Sequence, residues 1–485
     1  MILRLKIKAE IILYFFLKYI LNNVFNREGD VLPVHILKKI DKDTFDNFAS
    51  YIHSYGIPII FVTGTNGKTT TANLIADTLR AAGKNVCVNS NGANMSNGVF
   101  GAIIGSYGLS TIDRLLGLDF QFNADFIVIE ADEKVFPYLS SKLMPNVVVI
   151  TNFYRDQLDR YGEINTTVFE IKRAIKNLSG DTMLILPSFE PLAMSVGYGI
   201  NNPRIYYGFK REFFKEKQCQ ERAVSSDALT CPYCKKVLFN RKDVNQNVFL
   251  LKFKCENCGF TNIEPDIYIS GYKGEKIIIK SNKIGAEYDG KTDGALYSDF
   301  KPALSGDYNM ANYLAAYSVL KNYKIKNDII IPSFENFQTK FGRSFKKYVG
   351  DLEINVDLVK NPTGLSRVLE KITDVYNNDL PFIDILFAFS DRDADGRDVS
   401  WIWDVEFEKY VKDIGKIIIT GLRPFDMAIR LKTAGVDKSL ISIEHNLKKS
   451  LKKIIKIGRS QVSSNKKVFI LSTYTELLRI KKYIM

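Results

Sequence analysis

The strongest chemical signal in the chain is Gly64-Thr65-Asn66-Gly67-Lys68-Thr69-Thr70, which follows the apolar run Ile57–Val62 after a single threonine, Thr63. Two glycines, a lysine and hydroxyl groups between a buried strand and a helix suit a polyphosphate. The glycines let backbone N–H groups approach phosphate oxygens, and the helix N-terminus adds a favourable dipole. Lys68 can neutralise β- and γ-phosphate charge, and the Thr69 hydroxyl can ligate Mg²⁺. Three residues separate Gly64 from Lys68, so the loop is tighter than the usual GxxxxGK[ST]. The implied ligand is ATP.

A second constellation is metal-binding. Cys231 and Cys234, then Cys255 and Cys258, form two C-x2-C pairs separated by residues 235–254. Two such knuckles place four thiolates tetrahedrally around Zn²⁺ at roughly 2.3 Å. A closed four-sulfur shell leaves no position for water, so this Zn²⁺ is expected to be structural. Its binding contributes on the order of 10–16 kcal/mol to folding of the segment. Aromatic interleaving and arginine content around the knuckles are modest, so nucleic acid is not the expected partner.

The third constellation is Asp391, Asp393, Asp395, Asp398 and Asp404, clustered after the apolar run Ile385–Phe389. Aspartates at a strand's carboxyl end suit a functional loop. Both tryptophans of the chain, Trp401 and Trp403, lie in it and predict a packed, rigid segment. No histidine accompanies the carboxylates, which disfavours a metal there. Cys87 sits in an apolar strand and Cys219 in a charged segment with nothing to activate it. His35, His53 and His445 carry no motif.

Positioning these groups requires strand–helix alternation. Ile57–Val62, Val86–Val88, Phe126–Ile129 and Val147–Ile150 read as strands, with a helix over Thr70–Ala82 stopped at Gly83. This predicts an α/β fold with a parallel sheet and ligands at the strands' carboxyl ends. Residues 212–265 break the rhythm as an insertion. Asn309–Asn322 reads as a helix returning to the first sheet, and strands Ile385–Phe389, Ile417–Thr420 and Val468–Leu471 mark a second α/β unit. The expected domains are 1–50, helical; 51–325, nucleotide-binding with the inserted ribbon; and 326–485, C-terminal and Rossmann-like.

In the 485 residues, 46% are apolar and 25% charged, as in soluble globular proteins. A net charge of +13 favours acidic partners. Lys448, Lys449, Lys452 and Lys453 read as a solvated helix face. Six cysteines in so long a chain are no disulfide scaffold and point to a reducing, cytoplasmic setting. The apolar stretch Ile11–Leu17 falls short of the ~20 residues that span a bilayer. It suits a helix that packs on the next domain or touches a membrane surface.

The loop Gly64–Thr69 resembles the ATP loop of the Mur ligases and folylpolyglutamate synthases, and further matches follow in order. Glu130-Ala131-Asp132-Glu133 closes a strand where the family places a Mg²⁺ ligand, which implies Glu130. Thr151-Asn152-Phe153-Tyr154-Arg155-Asp156-Gln157-Leu158-Asp159 resembles its Asn-x-x-x-Asp-His-Leu-Asp segment. Leu304-Ser305-Gly306-Asp307-Tyr308-Asn309-Met310-Ala311-Asn312 resembles its adenine-side motif, implying a base contact by Asn309. Phe341-Gly342-Arg343 resembles the arginine before the last domain. Gln157 in place of histidine, Lys360-Asn361-Pro362 in place of His-Asn-Pro, the zinc ribbon and the Asp391–Asp404 run are similar to the MurT group. These are the ligase-like subunits of lipid II isoglutaminyl synthases. Phe345 departs from the family, which commonly has an acidic residue there.

The resemblance implies amidation of the D-glutamate α-carboxylate of lipid II through an acyl phosphate. The ammonia then comes from a GatD-like glutamine amidotransferase, since no internal glutaminase is visible. It further implies that one of Asp395, Asp398 or Asp391 completes the partner's Cys-His-Asp triad, and it makes Lys172 a candidate for carbamylation. An amino-acid-adding ligase of the same fold is the nearest alternative. A nucleotide- or nucleic-acid-binding scaffold without ligase chemistry is the alternative from another class.

Overall fold

The computed structural model describes residues 2–24, 31–89, 94–107, 122–154, 164–210, 230–238, 253–282, 296–304, 306–338, 344–376, 382–392, 395–461 and 466–484. The chain divides into two compact units. One comprises residues 1–153 and 165–338, the other residues 154–164 and 339–485.

The first unit opens with helices α1 (Ile2–Val24), α2 (Val31–Ile40) and α3 (Thr44–His53). Ile7, Ile11 and Tyr14 of α1 are buried at helical spacing, and the Tyr14 hydroxyl donates to Gly101 O at 3.0 Å. The sheet that follows is built on β1 (Ile59–Thr63), whose five residues are all buried. An apolar run of this kind suits a parallel strand covered on both faces. β1 lies between β3 (Phe126–Glu130) and β4 (Val147–Ile150). β2 (Val86–Val88), β5 (Met183–Pro187), β6 (Arg204–Phe209) and β7 (Ile267–Lys273) complete the parallel part. The order is β2-β3-β1-β4-β5-β6-β7-β8-β9, with β8 (Lys276–Ser281) and β9 (Leu296–Phe300) antiparallel at the edge.

The crossovers carry α4 (Lys68–Ala81), α5 (Ser96–Gly105), α6 (Phe136–Leu143), α7 (Ile164–Lys176) and the short α8 (Pro191–Val196). Helix α9 (Asp307–Asn322) is buried at every residue from Asn309 to Lys321 and packs on α4. A helix buried all round is a core helix, and Asn312 on this one reaches the phosphate loop at Gly67. Helix α10 (Asn327–Glu335) ends the unit.

The second unit holds a six-stranded sheet. It contains β10 (Ser344–Val349), β11 (Leu352–Leu358), β12 (Ile383–Phe389), β13 (Ile414–Gly421), β14 (Ile441–Ile443) and β15 (Lys467–Ser472), in the order β10-β11-β15-β12-β13-β14. Only β10–β11 is antiparallel. Successive β12 side chains point to opposite faces. Ile385, Phe387 and Phe389 meet α11 (Pro362–Tyr376) and α12 (Pro424–Thr433) in one core. Leu386 and Ala388 meet α13 (Leu447–Arg459) and α14 (Tyr474–Ile484) in the other.

Both units are therefore α/β with largely parallel sheets, as the strand–helix alternation predicts. Strands β5 to β9, β10, β11 and β14 escape the sequence reading. β7, β8 and β11 carry polar alternation and β14 has three residues, β7–β9 sit beside the insertion, and the apolar run of β5 is as long as that of β1 and is simply not singled out.

Candidate nucleotide site and metal centre

The phosphate loop leaves the carboxyl end of β1 and enters α4 through Gly67, whose φ of +88° is left-handed. A Cβ there would stand 2.2 Å from the Asn312 side-chain oxygen, and one on Gly64 would stand 2.4 Å from Thr151 Oγ1. Both glycines are therefore needed for close packing as well as for backbone conformation. Asn152, just past β4, holds the loop from the side. Its amide accepts from Asn66 N and donates to Asn66 O, each at 3.0 Å, and its carbonyl accepts from Thr65 N at 2.8 Å. A backbone strapped at three points presents its remaining N–H groups in a fixed cradle. Thr65 is buried, while Asn66 and Thr70 are half-buried.

Lys68 is buried. Its ammonium donates to Gly64 O at 2.5 Å, Thr65 O at 3.2 Å and the Glu133 carboxylate at 3.0 Å. Burial alone would depress this amine. The nearby Glu133, Asp132 and Glu130 carboxylates outweigh that penalty and hold it above the ordinary lysine range. It stays charged, as a phosphate partner must. The Thr69 hydroxyl donates to Glu130 Oε2 at 2.7 Å, so the two groups expected to hold Mg²⁺ converge. Glu130 is itself fixed: Asn89 accepts from its N–H and donates to its C=O, both at 2.7 Å. Hydroxyl and carboxylate oxygens fit a hard divalent cation.

Asn309 is buried on α9 and accepts from Asn312 Nδ2 at 3.3 Å, so it stands one turn from the side chain that lies on Gly67. Arg343, Gln157 and Cys219 lie outside the described residues. Cys87 is buried, and burial pushes its thiol up to about 11, as expected of an inert core cysteine.

The four remaining cysteines come together as two similar knuckles. Cys231 N donates to Lys236 O at 2.8 Å and Cys255 N to Phe260 O at 2.7 Å; bridges pair Thr230 with Val237 and Lys254 with Thr261. Each knuckle turns through a left-handed residue, Lys235 in one and Gly259 in the other. All four sulfurs lie within 4.8 Å of one another, with Cys231–Cys258 at 3.5 Å and Cys234–Cys255 at 3.4 Å. Zn–S bonds of about 2.3 Å in a tetrahedron need S···S separations near 3.8 Å, so the donor set fits zinc. The ribbon is seated on the sheet's helices. Tyr233 donates to Ser195 O, its ring lies 4.7 Å from Tyr198 and 5.0 Å from Phe260, and Lys172 donates to Tyr198 O at 2.7 Å. Burial lowers the Lys172 amine to about 8.

In the second unit the three candidate aspartates differ in environment. Asp395 is buried and accepts from Thr475 N at 2.7 Å, the first turn of α14. Asp391 accepts from Arg423 Nε at 2.8 Å. Asp398 is half-buried and accepts from Ser400 N at 2.8 Å. Of the two tryptophans expected to pack the loop, only Trp401 does, 5.6 Å from Phe389; Trp403 is 48% exposed. Asn361 is fully buried and accepts from Gly364 N at 2.7 Å at the start of α11.

Asn152, Glu133, Asn312 and Asn89 are the site residues that spacing alone does not single out. Glu133, Asn152 and Asn312 lie inside recognisable motifs, but their partners are distant in sequence.

Residues 62–241 match the Mur ligase middle domain, and residues 358–477 match the MurT ligase C-terminal domain. The chain is 32% identical over 431 residues to the MurT subunit of lipid II isoglutaminyl synthase (glutamine-hydrolyzing) of Staphylococcus aureus strain N315, covering 88% of each chain. It is 30% identical over 458 residues to the corresponding Streptococcus pneumoniae subunit (strain ATCC BAA-255 / R6), covering 94% of this chain and 92% of that one. Among solved structures, a pseudomurein peptide ligase type C from Methanothermus fervidus superposes with a TM-score of 0.58 at 20% identity, covering 88% and 78% of the two chains. MurF from Acinetobacter baumannii gives 0.59 at 13%, covering 91% and 80%. These two establish the fold, and the two sequence relatives establish the kinship: the chain belongs to the MurT family of Mur-type ligases.

Proposed function

We propose that this chain is the ATP-dependent ligase subunit of a lipid II isoglutaminyl synthase. It would convert the D-glutamate α-carboxylate of the lipid II stem peptide to D-isoglutamine, with ammonia supplied by a GatD-like glutaminase. The observation that carries this reading is the buried Lys68 in its three-point-strapped loop, in a chain matching MurT subunits over about nine-tenths of its length. Lys68 and the loop amides would hold the triphosphate, while Thr69 and Glu130 would hold Mg²⁺, which would supply charge neutralisation at the transferring phosphoryl group. A substrate carboxylate oxygen attacks the γ-phosphorus and ADP leaves, giving an acyl phosphate. Ammonia then attacks the acyl carbon, phosphate leaves, and the surplus proton passes to solvent. Positioning and electrostatics provide most of the acceleration.

Glu133 has a part in this cycle. It holds Lys68 when no phosphate is present and yields it to the nucleotide. Of the three aspartates, Asp398 is best suited to orient a partner histidine, because it is half-buried without a salt bridge and holds only the short 3₁₀ turn that begins at Ser400. Asp395 fits a structural role, and Asp391 is engaged by Arg423. Lys172 fits a ribbon-docking role. Among the described residues no helix is long and apolar enough to cross a membrane, so access to a lipid-linked substrate would be peripheral.

The test is amidation of lipid II by the chain co-purified with its partner, dependent on both ATP and glutamine. Amidation from glutamine by this chain alone would refute the partner reading. Addition of an amino acid in place of ammonia would transfer the chain to the amino-acid-adding class.

A further inference from the structure

Helix α13 divides its residues sharply between two faces. Leu447, Ser450, Leu451, Ile454 and Gly458 are buried, and its leucines and Ile454 join the core that holds Leu386 and Ala388. Lys448, Lys449, Lys452, Lys453, Lys456 and Arg459 are all exposed. At about 100° per residue these cations fall within an arc of roughly 140°, along ~17 Å of helix. Every residue inside that arc is lysine or arginine.

The sequence reading makes these lysines a solvated face, and they are exposed as it requires. A solvated face ordinarily mixes the two signs of charge along the helix. Here none of the 13 residues of α13 is acidic. Among the described residues none of the six cations lies in an ion pair, and Lys453 donates to Ser442 Oγ. Lys448 and Lys452, Lys449 and Lys453, and Lys452 and Lys456 stand four residues apart, where like charges repel. Lys448 and Lys449 also occupy the first turn, against the helix dipole. Each of these placements opposes the fold in isolation and is relieved by negative charge outside it.

The composition of the arc selects the partner. Protein interfaces are centred on apolar and aromatic anchors and are poor in lysine, and the arc has no such anchor. Single-stranded nucleic acid is held on aromatic rings, and base edges are read by Arg, Asn and Gln; of all these the arc offers only Arg459, at its end. Lysines used as point charges suit a broad layer of diffuse negative charge, such as an anionic bilayer presents.

We propose that the outward face of α13 docks the chain on an anionic membrane, with its lysines meeting lipid phosphates and the helix remaining outside the acyl layer. This rests on the proposed function for the reason a membrane is visited, namely a lipid-anchored substrate. The glutaminase keeps its own place, because the turn that follows Asp398 buries Trp401 and Ile402 in the core on the sheet's opposite face.

The test is flotation of the full chain with its partner on phosphatidylcholine vesicles with and without phosphatidylglycerol. Binding is expected only with phosphatidylglycerol and should weaken steeply with salt. Lys448→Gln, Lys449→Gln, Lys452→Gln and Lys456→Gln together should lower partition on the order of several hundredfold, at about fivefold per charge. Arginine at the same four positions should preserve it. Glutamine at Lys412, Lys416, Lys432 and Lys438, exposed lysines outside α13, should lower it by less than about tenfold, because screening weakens distant charges. The α13 glutamine variant loses only repulsion, so it should melt no lower than the wild type. Four outcomes overturn the proposal: no flotation of the wild type, equal losses in the α13 and control variants, a lower melting temperature of the α13 variant, or retention on duplex DNA that outlasts vesicle binding as salt is raised. Flotation uses no ATP, glutamine or lipid II, so it stands or falls apart from the ligase reading. If both hold, the α13 variant amidates detergent-dissolved lipid II normally and vesicle-embedded lipid II poorly.

Discussion

Replacing Lys68 with methionine tests how the phosphate loop is held together before any nucleotide arrives. The ammonium and Glu133 are both buried, 3.0 Å apart, and Glu130 and Asp132 also act on the same charge. Removing one partner of a buried pair costs about 3–5 kcal/mol, because the remaining charge keeps its desolvation penalty. Three carboxylates around one vacancy place Lys68→Met near the upper end of that range. Glu133→Gln leaves the ammonium with two carboxylates and two backbone carbonyls, so its cost should be smaller, about 1–3 kcal/mol. The double variant removes donor and acceptor together and should recover part of the loss, with a coupling of roughly 1–3 kcal/mol in the cycle.

Urea unfolding of the four proteins without nucleotide measures these terms. Mg-nucleotide then gives a second, opposite reading. In Glu133→Gln the lysine has one rival fewer, so the gain in stability on adding Mg-nucleotide should exceed the wild-type gain. In Lys68→Met that gain should nearly vanish. Additive single-variant costs, or a smaller nucleotide gain in Glu133→Gln, would show that Glu133 does not hold Lys68 in reserve and would refute the reasoning.

Further expectations concern separate parts of the chain. Gly67→Ala places a Cβ 2.2 Å from Asn312 at a positive φ; strain of about 1–2 kcal/mol should weaken Mg-nucleotide binding at least several-fold by calorimetry. Glu10 is raised to about 7 by burial first and by Asp41 second. Its neutral form is favoured in the fold, so this contribution is complete below about pH 4.5 and is lost as pH rises towards 7. Glu10→Gln should therefore flatten the pH dependence of the melting temperature and stabilise the protein at about pH 8. Chelating the zinc should release one metal ion per chain and expose Tyr233 to solvent, seen as a fluorescence change, while the nucleotide site persists. Asp398→Asn should abolish amidation with glutamine yet spare amidation with ammonium salts, whereas Asp395→Asn should lower stability by about 1–3 kcal/mol.

What could be read from the sequence was whatever is local. Gly67, Lys68 and Thr69 are neighbours on a strand–loop–helix, and the cysteine pairs carry their geometry in their spacing. The strand cores around Phe61, Ile127 and Val148 are short apolar runs with no competing helical period. Contacts between distant segments were illegible. Nothing near Asn152 says that it straps Asn66, and nothing near Asn312 says that Gly67 must lack a side chain to admit it. The same limit explains Trp403. Composition placed both tryptophans in a packed loop, but the five-residue 3₁₀ turn Ser400–Asp404 directs only Trp401 inward. The aspartates could not be ranked either, because burial of Asp395 depends on Thr475, which arrives from the far end of the chain.

The four-cysteine cluster lies between β6 and β7, which are adjacent and parallel. A chain leaving one such strand must travel back along the sheet to start the next, a journey usually made by a helix with its own apolar stripe. Here a metal held by the four cysteines would take over the task of making that return path compact. If the ribbon melts, β6 and β7 remain joined by a long slack tether, and closing entropy rises by only ~0.6 kcal/mol for each doubling of loop length. Metal depletion should therefore loosen the outer edge β7–β9 first, leaving the inner strands around β1 to unravel last in hydrogen exchange.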